Sequence, residues 1–174
     1  TLEAFEQALA EGADGIELDV HSSRDGEVVV FHDETLERLS AQGDTRRVGE
    51  VRWAELAEHD LKGQHRMPRL ATVLDQFLDR IPLNIEIKDR WALERVLVLL
   101  EGRPCEGVVL SSFSWDAMVW AGQMAPHITR AWISGDPPLN PNDVVRDAWP
   151  ALGLRSSGAQ RWHTHSRQVS RLTD

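Results

Sequence analysis

Apolar residues fall first at helical and then at alternating spacing along the opening of the chain. Leu2, Phe5, Ala8 and Leu9 recur at three- and four-residue intervals across 2–11, with Thr1 placed to cap and Gly12 to stop, which predicts a helix. From Asp14 the period drops to two: Ile16, Leu18 and Val20 alternate with Glu17, Asp19 and His21, as in a strand over 14–21. Ser23-Arg24-Asp25-Gly26 is turn chemistry that leads into a second strand, 27–32, ending Val30-Phe31-His32. The stretch 34–68 is polar and loop-like, with one short helix predicted at 53–59. Helical patterns at 70–80 and 91–101 flank a third strand, 83–88, and a strand at 107–112 leads into a helix at 115–124. Beyond it the pattern predicts a strand at 128–133, a Pro-rich turn at 137–141, a helix at 142–149 and a strand near 158–163, with no internal repeat and no linker.

Strands alternating with helices at this spacing call for a parallel sheet covered by helices, with polar residues at the strand carboxyl ends, where α/β active sites are built. A (β/α) barrel suits this pattern better than an open sheet. Such barrels run to about 250 residues; this chain, at 174, is well short of that.

Composition narrows the class without naming an activity. With 41% hydrophobic and 27% charged residues the chain is an ordinary globular protein, not a disordered one. A formal charge of −9 argues against nonspecific nucleic-acid binding, so any phosphate handled here must meet local cations. No run of about 18 apolar residues marks a transmembrane helix. The lone Cys105 excludes an intrachain disulfide framework and fits a reducing compartment, so a cytoplasmic location is the expectation. Oligomeric state is not legible.

The chemistry concentrates on three strands. Glu17 and Asp19, two positions apart, leave one face of their strand while Ile16, Leu18 and Val20 pack the other. Like charges side by side are costly to bury unless a cation compensates them. Leu83-Asn84-Ile85-Glu86-Ile87-Lys88 repeats the alternation, and His32 ends the second strand. From spacing alone, a metal site and a buried salt-bridge cluster with Lys88 and Arg24 stand level. His21 shares the face of Asp19 and either borders a site or is a polar strand end. Ser111 and Ser112 lack a Gly-x-Ser-x-Gly context and read as strand-end residues. Of the seven tryptophans, Trp115 and Trp120 lie on a helix pattern and read as core or partner-facing.

In order and spacing, several short segments resemble the glycerophosphodiester phosphodiesterase family: Gly12-Ala13-Asp14 before Ile16-Glu17-Leu18-Asp19-Val20; Asp25-Gly26; Val30-Phe31-His32-Asp33; Leu36 and Arg38; Glu55-Leu56; Pro68 with Leu70; Ile85-Glu86-Ile87-Lys88; and Ser111-Ser112-Phe113. The match is specific over 1–113 and loose past 114, where Trp162-His163-Thr164-His165 is similar to a worn later strand. At Arg69 the family's Pro-Thr-Leu is broken. Family members begin with a strand ending in His-Arg-Gly and continue through Pro-Glu-Asn-Thr; this sequence starts at what resembles that threonine. The resemblance thus implies a (β/α)8 TIM barrel of the phospholipase C-like phosphodiesterase type, with residues 1–174 a partial domain lacking the first and last strands, and with the first catalytic histidine and a phosphate-binding arginine absent.

Position by position, the resemblance makes Glu17, Asp19 and Glu86 ligands of a divalent metal, Ca2+ or Mg2+, since hard oxygen ligands suit hard cations. It makes His32 the second catalytic histidine, whose near-neutral intrinsic pKa suits proton transfer, and Lys88 a phosphate-contacting residue that also neutralises Glu86. It implies hydrolysis of small glycerophosphodiesters to glycerol 3-phosphate and an alcohol, with low activity for this chain alone. The alternative is a noncatalytic metal- or phosphate-binding module derived from the same barrel.

Overall fold

The computed structural model describes residues 1–133. The predicted turn, helix and strand at 137–163 lie outside the described residues.

Helix α1, Leu2–Ala10, forms where the periodicity predicts it: Thr1 Oγ1 accepts the Ala4 amide at 3.3 Å, and Gly12 at φ +79° ends the run. Strand β1, Ile16–Ser22, follows at once, and a tight turn leads to β2, Val28–Val30. The turn is closed by Ser23 N donating to Glu27 O at 2.8 Å and by Gly26, whose φ of +87° suits glycine. This first return departs from the parallel pairing that the strand–helix alternation calls for. So short a connection can only return the chain antiparallel, because a parallel crossover needs about a dozen residues. β2 accordingly pairs antiparallel with β1, Val20 opposite Val30.

Helix α2, Trp53–Glu58, and a single 3-10 turn at Val48–Glu50 interrupt the next stretch. This excursion buries its own small core of Val29, Phe31, Leu36, Val48, Val51, Leu56, Leu61 and Met67. Its apolar residues are too irregularly spaced to show in either period, so the sequence reads as loop while the structure packs it. Helix α3, Leu70–Phe77, strand β3, Leu83–Ile87, helix α4, Arg90–Leu100, strand β4, Val108–Ser112, helix α5, Trp115–Met124, and strand β5, Thr129–Trp132, then alternate as predicted.

The sheet order is β2-β1-β3-β4-β5, with β1, β3, β4 and β5 parallel. The main core lies between one sheet face and the helices: Ile16, Leu18, Val20, Leu83, Ile85, Ile87 and Leu110 meet Val73, Leu74, Phe77, Leu93 and Val96. Trp120 packs partly against this core, whereas Trp115 stays exposed and meets Trp132 edge-on at 5.5 Å.

Candidate metal and phosphate site

The other sheet face carries the polar residues, and the register decides which of them meet. Asp19 lies opposite Glu86 and Glu17 opposite Asn84 across the parallel β1–β3 pair. One oxygen from each of Glu17, Asp19 and Glu86 lies within 4.8 Å of the others. The expected convergence is therefore what the strands produce: alternation sends the acids to one face, and parallel register brings them level.

Lys88, the residue after β3, reaches back over this cluster. Its Nζ lies 2.9 Å from Asp19 Oδ1 and also donates to Glu86 Oε1. Burial works against the ammonium, yet these two bonds outweigh it and hold its pKa above the ordinary value. Glu17 has no such partner among the described residues. Burial first, then the charges of Asp19 and Glu86, push its carboxyl up to about 7, with Lys88 only partly opposing them. Half of the salt-bridge reading is thus present, through Lys88. Arg24 forms no ion pair with the cluster among the described residues. Among the described residues three carboxylates face one ammonium, which leaves the site short of positive charge, and oxygen donors at this spacing fit a hard divalent cation. Glu17, Asp19 and Glu86 are the residues that could hold it.

His32 stands just past β2, and the preceding Phe31 N donates to Asp19 O at 2.9 Å. Its ring is exposed, and Nδ1 donates to Asp33 Oδ1 at 2.7 Å. Asp33 is gripped by Arg38, whose Nη2 donates at 2.9 Å. The Arg38 hydrogen bond, ahead of that from His32, holds the Asp33 carboxyl down to about 2. The carboxylate therefore favours the His32 tautomer with hydrogen on Nδ1, leaving Nε2 the basic nitrogen. The ring meets Asp33 rather than the three acids among the described contacts.

His21 and Asp89 emerge as further site neighbours. His21 is buried, with Nε2 3.3 Å from His32 O and Nδ1 3.5 Å from Asp89 Oδ2. Asp89 also accepts Ser22 N at 2.8 Å and caps α4 through Ala92 N at 2.8 Å. Burial tends to raise its pKa, but hydrogen bonds from His21 and the Ser22 and Ala92 amides hold it below the ordinary value. Asp89 precedes the apolar pattern of 91–101 as an N-cap would, and that was its one sequence signal. Ser111 donates to Asn84 Oδ1 at 2.8 Å and Ser112 to Ile87 O at 2.8 Å, so both serve as strand-end residues. Phe113 stands at the rim, its ring centroid 5.9 Å from Lys88 Nζ.

Helices cover one sheet face, and a lysine-bridged acidic cluster lies on the other. The chain belongs to the glycerophosphoryl diester phosphodiesterase family, whose model matches residues 1–174. It is 36% identical over 148 residues to Uncharacterized protein YqiK of Bacillus subtilis, covering 78% of this chain and 61% of that one. It is 33% identical over 168 residues to a glycerophosphodiester phosphodiesterase of Bacillus altitudinis, covering 88% of this chain and 67% of that one. A phosphodiesterase of Oleispira antarctica, solved in complex with the product sn-glycerol-3-phosphate, superposes with a TM-score of 0.74 at 27% identity, covering 84% of this chain and 64% of that one. The chain thus spans roughly two thirds of the length of these relatives. Its five-stranded sheet is part of a TIM barrel of their kind.

Proposed function

We propose that residues 1–174 belong to the catalytic domain of a metal-dependent phosphodiesterase that cleaves glycerophosphodiesters to glycerol 3-phosphate and an alcohol. The observation that carries this reading is the convergence of Glu17, Asp19 and Glu86 within 4.8 Å beneath Lys88. A Ca2+ or Mg2+ ion held by these carboxylates would supply positive charge to the phosphate oxygens as negative charge develops there. Lys88 sits at the rim, its Nζ on Asp19 and Glu86, where it can turn its ammonium to a bound phosphate. His32 takes the proton-transfer role at Nε2, with Asp33 fixing the opposite nitrogen. The Oleispira antarctica relative, solved with sn-glycerol-3-phosphate, supports the choice of product.

Titration calorimetry tests the reading. The chain is expected to bind one Ca2+ or Mg2+ and, only with the ion present, glycerol 3-phosphate. Glu86→Gln should abolish the first and Lys88→Ala weaken the second. A chain that binds neither ligand, or binds the ion equally well after Glu86→Gln, would overturn it.

A further inference from the structure

We propose that His21 is a positioning residue that holds the backbone at His32 in place against the start of α4. The proposal rests on the assignment of proton transfer to His32.

His21 is only 8% exposed, so its polar ring must find partners inside the protein. A carbonyl can only accept, so Nε2 carries hydrogen and donates to His32 O at 3.3 Å. The opposite nitrogen faces Asp89 Oδ2 at 3.5 Å. Asp89 is itself fixed, by the Ser22 amide at 2.8 Å on one oxygen and the Ala92 amide at 2.8 Å on the other. A continuous path of contacts therefore runs from the first turn of α4 through Asp89 and His21 to the peptide at His32. Phe31 N on Asp19 O, at 2.9 Å, fixes the residue before it.

These contacts hold the main chain, whereas the exposed ring is held from the other side by Asp33 and Arg38. Among the described hydrogen bonds, only the His21 ring meets the His32 carbonyl. Losing it would release the peptide that aims the ring, and a displacement of about 1 Å can reduce a rate about a hundredfold. The carboxylates of Glu17, Asp19 and Glu86 and the Lys88 ammonium make none of these hydrogen bonds, so ion binding should be indifferent to their loss.

The experiment compares His21→Leu, His21→Met and His21→Gln in the full chain. The Leu variant keeps bulk without a donor, the Met variant does so with more flexibility, and the Gln variant restores an N–H at similar reach. Proton–nitrogen NMR of the His32 ring reads its tautomer, and glycerophosphocholine turnover and Ca2+ binding are measured beside it. We expect a single Nδ1–H form of His32 in the wild type and in His21→Gln, and averaged forms in the Leu and Met variants. The low turnover expected of this chain should fall about ten- to a hundredfold further in both, with KM and Ca2+ affinity within about twofold. Unchanged His32 signals in the Leu and Met variants, or Ca2+ affinity lost in step with kcat, would overturn the proposal. The same holds if His21→Gln behaves like His21→Leu. A His32→Ala chain as active as the wild type would instead overturn the catalytic assignment on which the proposal rests, so the two failures are distinguishable.

Discussion

The two faces of β1 and β3 are built from alternate residues of the same strands, yet they obey opposite rules. On one face Ile16, Leu18, Val20, Leu83, Ile85 and Ile87 are buried against helices, and each contributes to stability in the usual way. On the other, Glu17, Asp19 and Glu86 crowd together, with Lys88 the one ammonium beside them among the described residues. Burial and mutual repulsion make that face costly in the absence of a cation. A face that works against folding is explained by what it binds, and the same alternation that builds the core delivers the site.

Truncation on the apolar face should have the largest effect. Ile85, with no solvent exposure, lies at the centre of the core, so Ile85→Ala is expected to cost about 2 to 5 kcal/mol in denaturant unfolding. A loss below about 1 kcal/mol would break the comparison by showing that this face is not the source of stability.

Removing a charge on the acidic face should act in the opposite sense. With its folded-state pKa near 7, Glu17 keeps a proton in the folded chain at pH values where the unfolded chain has released it. Metal-free stability should therefore fall as pH rises from about 4.5 to about 7 and then level off. Glu17→Gln should flatten that fall and raise metal-free stability at pH 8 by about 1 to 3 kcal/mol, allowing for water that reaches one side of the group. Urea unfolding at several pH values checks both the sign and the window.

A smaller effect is expected where the apolar face ends in polar groups. Ser112 is buried, donates to Ile87 O and accepts Ser114 N at 3.1 Å, so Ser112→Ala should cost about 1 to 2 kcal/mol by leaving both groups unpaired. Ion binding should be untouched, and a calorimetric titration of the variant would show it.

Much of this was legible in the sequence because it follows from period and spacing. Period two placed Glu17, Asp19 and Glu86 on one face, and the sequence pattern located the five helices of the described residues within a few positions. The antiparallel return of β2 was encoded too, in the short Ser23–Gly26 turn, but the surrounding β-α alternation argued for parallel strands and outweighed it. The small core at Leu36, Val48, Leu56 and Leu61 has no period to reveal it, since irregular backbone gives its side chains no fixed repeat. The family resemblance makes His32 a catalytic histidine, and only the folded chain shows its ring on Asp33, which Arg38 holds in turn. The roles of His21 and Asp89 depend on contacts between residues 67 and 68 positions apart, which only the folded chain brings together.

Thermal unfolding at pH 8 with and without Ca2+ or Mg2+ tests most directly the claim that the acidic face is an ion site. At a free concentration about a hundred times the dissociation constant, an ion bound only by the folded chain adds about 2.7 kcal/mol. For a chain of this size that amounts to a rise of roughly 5 to 11 °C in Tm. The wild type should show that rise with one of the two ions, and Glu86→Gln should show none. A wild-type Tm that neither ion moves, or an equal rise in Glu86→Gln, would contradict the account.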